Sequence, residues 1–196
     1  MAVIQTGNTL PGILELLYYK SESGRALSNL AHTILHGRSD IPKGDRELIA
    51  AFVSYRNGCE FCHDSHSASE ACHNGKDFRD RDFTEYVKER RREEKIDVLL
   101  EIAEATRKDV APLRQDLVAR ARQFGLSDAA IHDAVLIAAA FCMYNRYVDT
   151  LGTRRAEAAE YSEMGVRLSQ KGYKYPPWFL VSFVKKLLTG RFGKAA

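Results

Sequence analysis

The run Ala134-Val135-Leu136-Ile137-Ala138-Ala139-Ala140-Phe141-Cys142-Met143-Tyr144 is apolar on every side of a helix. Such a helix must be covered all round, yet it falls short of the roughly 18–20 apolar residues that a bilayer span needs. It therefore reads as the central helix of a bundle, and the rest of the chain has to supply the elements around it.

The rest of the chain is patterned for that. Apolar residues recur at intervals of three and four in most segments, and strict alternation is rare. Turn-rich stretches fall at Ser21-Glu22-Ser23-Gly24, His36 to Asp40, Asn74 to Asp77, Phe124 to Asp128, Gly152-Thr153 and Gly172 to Pro177. Between them the spacing predicts helices over about 25–36, 42–56, 59–73, 82–107, 110–124, 127–150, 154–170 and 177–190. Ser127 is a candidate N-cap, and Gly125 suits the end of the preceding helix. The expected fold class is all-α, in one domain of 196 residues. Lys88 to Lys95 mixes both signs and reads as a solvated helix face. A net charge of +3 gives no reason to expect nucleic acid. Met1 to Asn8 lacks a basic region followed by an apolar one, so no membrane association and a cytoplasmic location are expected. The aromatic and then basic stretch Pro176 to Leu188 is expected to dock on the core or on another subunit.

Chemistry concentrates at one place. Three of the four cysteines, Cys59, Cys62 and Cys72, fall within fourteen residues. Asn57-Gly58 stops a helix, so Cys59 should open the next one. In that helix Cys62 lies at i+3 from Cys59, and His66 at i+4 from Cys62, so all three share a stripe. Two thiols could close a disulfide there while an imidazole touches the second sulfur. The positive end of a helix favours thiolate. These are the parts of thiol–disulfide or peroxide chemistry. Cys59-Glu60-Phe61-Cys62-His63 also spells the c-type haem attachment pattern, but attachment needs an exported chain. Zinc is disfavoured because ligands along one helical stripe cannot surround an ion tetrahedrally. No cofactor and no metal are expected. Cys72 and Cys142 read as packed core thiols, and His63 and His73 as facing away from the pair.

From Glu47 to His66 the chain resembles the AhpD-like alkylhydroperoxidase and carboxymuconolactone decarboxylase superfamily. The pattern is a glutamate, eleven residues, then C-x-x-C-x-x-x-H, here Glu47, Cys59, Cys62 and His66. Arg46 to Ala50 and Ser67-Ala68 add to the likeness. So does Tyr144-Asn145-Arg146-Tyr147-Val148-Asp149-Thr150-Leu151-Gly152, which resembles an F-N-R-x-x-D-x-L-G ending with Tyr144 in place of Phe. The likeness spans roughly residues 10–152 and leaves 153–196 as a peripheral extension. It implies an AhpD-like helical bundle, assembled as a homo-oligomer of three or six chains. It further implies a redox-active cysteine pair that acts on a small hydroperoxide and is recharged by a dithiol, such as a lipoyl-bearing or thioredoxin-like protein. The decarboxylase branch lacks the pair, which favours the peroxidase branch. Phe61 stands where AhpD proper can carry a histidine between the cysteines, which removes one relay group.

Glu47 can fold back on the cysteine helix, orient His66 and raise its basicity, so that the imidazole takes the Cys62 proton. Dipole reasoning favours Cys59 as the attacking thiol and proximity to His66 favours Cys62. We assign Cys62 as peroxidatic and Cys59 as resolving. The alternative function is a non-catalytic redox sensor, or a protein-disulfide exchanger, with the same pair.

Overall fold

The computed structural model describes residues 2–75 and 82–192. Ten α-helices make up the described fold, and no strand occurs among the described residues. They are α1 (Ile13–Leu17), α2 (Ser21–His36), α3 (Lys43–Asn57), α4 (Glu60–Asn74), α5 (Phe83–Arg90) and α6 (Glu94–Lys108). They continue as α7 (Gln115–Gln123), α8 (Asp128–Thr150), α9 (Ala158–Lys171) and α10 (Val181–Phe192), with a 3₁₀ turn over Trp178–Leu180 before the last. The all-α class and the helical C-terminal extension are thus as expected.

The long apolar helix is α8, and it packs against α3 and α6, with lesser contacts to α1, α2 and α7. Ile137, Ala138, Phe141 and Tyr144 are buried in the main core with Leu48, Ile49, Phe52, Val98 and Ile102. Its start is the expected one, because the Ser127 hydroxyl accepts from the Ala130 amide at 3.1 Å. Full coverage is not observed in the single chain. Leu136 and Met143 remain 36% and 43% exposed, on a stripe that also holds Ala139 and Arg146.

Five further sequence readings need correcting. The chain forms α1 where no helix was predicted, and Ser21 to Gly24 is the first turn of α2 rather than a loop. The predicted helix 82–107 is two helices broken at Arg91–Glu93, where the amides of Arg92 and Glu93 bond the carbonyls of Glu89 and Arg90. The break accompanies an inward turn of Arg90, whose side chain is only 11% exposed and pairs with Asp45 on α3 at 2.7 Å. That segment is therefore not simply a solvated face. The predicted helix at 110 begins only at Gln115, because Pro112 biases its neighbour away from helical backbone. The predicted turn at 74–77 extends past the described residues.

The extension is not peripheral between 158 and 175. α9 lies along α4, and Tyr161 and Met164 are buried with Cys59, Phe61, Cys62 and Val148. The approach is close: a Cβ on Gly165 would stand 2.8 Å from both the backbone and the Cβ of Ala68. Neither helix backbone can step aside without losing that layer. Farther on, Leu188 and Phe192 dock against Leu10 and Tyr18, as expected of a segment that packs on the core. Trp178, Phe179 and Phe183 on the same segment face outward. No helix among the described residues is long and apolar enough to cross a membrane.

Gly165→Ala should therefore destabilise the protein by about 1–3 kcal/mol, the usual cost of overpacking. A urea titration followed by circular dichroism reads this as a lower midpoint with an unchanged slope.

Candidate active site

The hinge between α3 and α4 places the site. Asn57 ends α3, and Gly58 takes the left-handed conformation at φ 78°, where a side chain would be strained. The chain reverses there, and α4 runs back along α3. Cys59 becomes the N-cap of α4, one position outside the expected first turn. Its amide bonds the Ser54 carbonyl at 3.0 Å. Cys62 and His66 follow on the buried side of α4.

The reversal brings Glu47 of α3 against His66. His66 Nδ1 lies 2.7 Å from Glu47 Oε2, and both side chains are buried. With Glu47 ionised, Nδ1 carries the proton and Nε2 keeps its lone pair. The ring is fixed from two sides. Phe141 of α8 meets it edge-on at 4.5 Å, and Tyr173 stacks on it at 5.8 Å and 19°.

Tyr173 is the residue that sequence reasoning missed here. It lies just beyond α9, and its hydroxyl donates to Glu47 Oε1 at 2.7 Å while standing 3.3 Å from His66 Nδ1. Its amide donates to His32 Nδ1 at 3.2 Å, which ties the loop to α2. Burial, and then the charge of Glu47, push the Tyr173 phenol well above its ordinary range, so it stays a donor. The two carboxylate oxygens of Glu47 thus each have a donor, as a buried carboxylate requires.

The thiols sit in two different settings. Cys59 is fully buried and Cys62 is 3% exposed, and both are free thiols. The Cys62 thiol shares a hydrogen bond with Cys59, and that bond, followed by burial, raises Cys62 well above the usual thiol range. This reverses the expectation that the helix start would lower it. At the N-terminus, desolvation and the neighbouring sulfur outweigh the dipole. Asn145 of α8 bonds the Cys62 sulfur and favours thiolate. Asn145 itself donates to Ser54 Oγ at 3.0 Å and accepts from Asn57 Nδ2 at 2.9 Å. Asp149, one turn farther along α8, bonds Cys59. Asn145 and Asp149 belong to the α8 ending noted in the sequence. A buried asparagine in an apolar helix was the signal that could have marked the first.

Cys62 and His66 both line one cavity of about 110 Å³, walled mainly by apolar side chains of α1, α2, α8 and the extension. The expected direct touch between imidazole and sulfur is replaced by this shared cavity, with Cys59 and Asn145 as the leading polar groups on Cys62. Cys59 lies behind Cys62, away from the lining. His63 turns away as expected, its ring against Phe83 and Tyr55. Cys72 departs from the expected packing: it is exposed, because its position on α4 points outward at the helix end. Cys142 is half-buried. Among the described residues no group of three or more His, Cys, Asp and Glu side chains converges as a metal site would.

Comparison with known proteins adds the following. Residues 21–77, which hold Glu47, Cys59, Cys62 and His66, match the carboxymuconolactone decarboxylase family. An uncharacterized peroxidase-related protein from Silicibacter sp. TM1040 is similar in structure, with a TM-score of 0.63 and 23% identity, covering 78% of each chain. An alkylhydroperoxidase AhpD core from Ralstonia eutropha JMP134, also an uncharacterized peroxidase-related protein, aligns with a TM-score of 0.68. It is 23% identical and covers 79% of this chain and 80% of its own. No curated protein matches the chain.

Alkylation of Cys62 should need a higher pH than a free thiol, because only thiolate reacts. Removing the partner sulfur in Cys59→Ala should move that pH profile down. Iodoacetamide labelling of Cys62, followed by mass spectrometry across pH, checks the sign.

Proposed function

We propose that the chain is a member of the superfamily that joins AhpD-like proteins with the carboxymuconolactone decarboxylase family, and that it is a thiol-dependent peroxidase working through Cys62 and Cys59; the match of residues 21–77 and the likeness to an AhpD core support this reading. The observation that carries this reading is the cavity onto which Cys62 and a Glu47-backed His66 both open.

In the proposed reaction His66, oriented by Glu47, takes the Cys62 proton. Asn145 steadies the resulting thiolate. The sulfur attacks the terminal oxygen of R–O–O–H, the O–O bond breaks, and the departing alkoxide takes the proton from the imidazolium to leave as R–OH. Cys62 is then a sulfenic acid. The Cys59 sulfur attacks it, the Cys59 proton passes to the departing hydroxyl, which leaves as water, and the Cys59–Cys62 disulfide forms, with Asp149 beside the Cys59 sulfur. An external dithiol, lipoyl-bearing or thioredoxin-like, returns two electrons and two protons and becomes the disulfide itself. Cys62 as the peroxidatic thiol is supported by its place on the cavity, and Cys59 as the resolving thiol by its place behind it. Tyr173 acts as a positioning residue through Glu47. The outward stripe of Leu136 and Met143 on α8 supports assembly into a homo-oligomer, as a trimer or hexamer. A cytoplasmic location belongs to the same proposal.

The second reading, a redox sensor or disulfide exchanger, draws on one observation. Cys59 and Cys62 are packed in the layer that joins α4 to α9, so oxidation there would disturb the docking of the extension.

Peroxide consumption with an organic hydroperoxide and excess dithiol separates the two. The peroxidase reading expects sustained turnover, lost in Cys62→Ser and lowered on the order of 100-fold or more in His66→Gln, the usual share of a general base. Cys59→Ser should still form one sulfenic acid per chain, trapped by a dimedone reagent. A single stoichiometric oxidation that stops would favour the sensor. Sulfenic acid on Cys59 in Cys62→Ser would reverse the two roles.

A further inference from the structure

The cavity lining carries positive charge. Arg167 of α9 and Lys174 beyond it both belong to its lining, and no Asp or Glu does. Three other arginines of the extension have carboxylate partners: Arg154 with Glu160, Arg155 with Glu60 and Asp64, and Arg191 with Glu163. Arg167, half-buried, has none among the described residues. It is nevertheless held in place, because it bonds the hydroxyl of Tyr18. Tyr18 in turn stacks on Tyr175 at 5.4 Å, and both rings line the same cavity. A partly desolvated guanidinium fixed over an apolar space is costly unless an anion completes it.

Cys62 and His66 belong to the same lining, and Leu14, Leu17, Leu27, Met164 and Leu168 supply much of its apolar part. The volume, about 110 Å³, is somewhat below the roughly 150 Å³ that accepts benzene. It suits a short aliphatic body and not a whole fatty-acid chain. Resting on the peroxidase reading, we infer that the substrate is a short apolar organic hydroperoxide bearing a carboxylate, seated with its hydroperoxide at Cys62 and its carboxylate at Arg167 and Lys174. The carboxylate takes no part in bond changes. Sulfur still attacks the terminal oxygen, and the product is the corresponding hydroxy acid. The extension thereby selects the substrate for a thiol carried by the core.

The test compares 5-hydroperoxypentanoate with its methyl ester, using dithiothreitol as a neutral reductant so that any charge dependence comes from the peroxide. The native protein should prefer the acid in kcat/KM by roughly tenfold or more, the range of a hydrogen bond to a charged group. Arg167→Gln should bring acid and ester close together, and Arg167→Lys should restore part of the preference. Lys171→Gln, which removes an exposed charge outside the cavity, should keep it. Equal rates for acid and ester in the native protein would overturn the inference. So would a loss of preference in Lys171→Gln as large as in Arg167→Gln, since that would mark a diffuse field. If neither peroxide turns over, calorimetry with pentanoate and pentanamide decides the site by itself. Arg167-dependent preference for pentanoate would keep the anion site while the peroxidase reading fails, and equal binding of the two would remove the site as well.

Discussion

The buried carboxylate of Glu47 is the constraint that orders the rest. An ionised carboxylate taken out of water is tolerable only with donors on both oxygens. The donors are His66 from α4 and Tyr173 from beyond α9. Those two bonds link two consecutive helices to a loop 126 residues beyond Glu47. They hold α3 to α4 and bring the extension onto both, and the ring of His66 is then locked between Phe141 and Tyr173. Removal of either donor would leave the carboxylate short of a partner in a dry place, so the site geometry and the stability of this layer are one matter.

The short-range half of that arrangement was legible in the sequence. Asn57-Gly58 announces a reversal, and two antiparallel helices joined by so short a turn must set Glu47 near His66. The cap at Ser127 and the apolar length of α8 were legible for the same reason, since each depends on neighbours a few residues away. What escaped depends on distant partners. Arg90 looks like one charge in a solvated run until α3 presents Asp45 to it. Tyr173 is one aromatic in a glycine- and proline-rich loop until α9 delivers it to Glu47, 126 residues earlier. Asn145 was visible only as part of an α8 ending, with nothing local to say that its amide meets a sulfur. Cys72 failed for a simpler reason: cysteine is usually buried, but this one falls on the outward face of α4 beside the buried Ala71.

The division between core and extension changes meaning in the structure. The resemblance read from the sequence ends near residue 152, and the remainder was expected to be peripheral, docking on the core or on another subunit. Yet α9 closes over Cys59, Cys62 and Phe61, and Gly165 lets it come near enough to exclude water from that layer. The extension also forms a wall of the cavity, so the thiol chemistry has its ingredients on α3, α4 and α8 and its surroundings on later elements. A fold can keep its reactive helix pair and alter what reaches it by changing only what is laid on top.

The polar neighbours of the two sulfurs make them inequivalent before any reaction. Cys62 shares a hydrogen bond with Cys59, and together with burial this holds its proton on. Cys59 has Asp149 on its far side. The polar groups that act on the two thiols are thus Cys59 and Asn145 on Cys62, and Asp149 on Cys59. With its proton held in this way, the thiol facing the cavity is not a standing thiolate open to every electrophile. On the proposed reaction it becomes nucleophilic when the imidazole of His66, positioned by Glu47 and Tyr173, takes its proton. On the proposed reaction, reactivity then depends on a substrate filling the apolar cavity and excluding water from the two groups at once. Burial that raises a thiol out of its ordinary range protects it from adventitious oxidation, and the same burial strengthens the carboxylate–imidazole pair that can undo it.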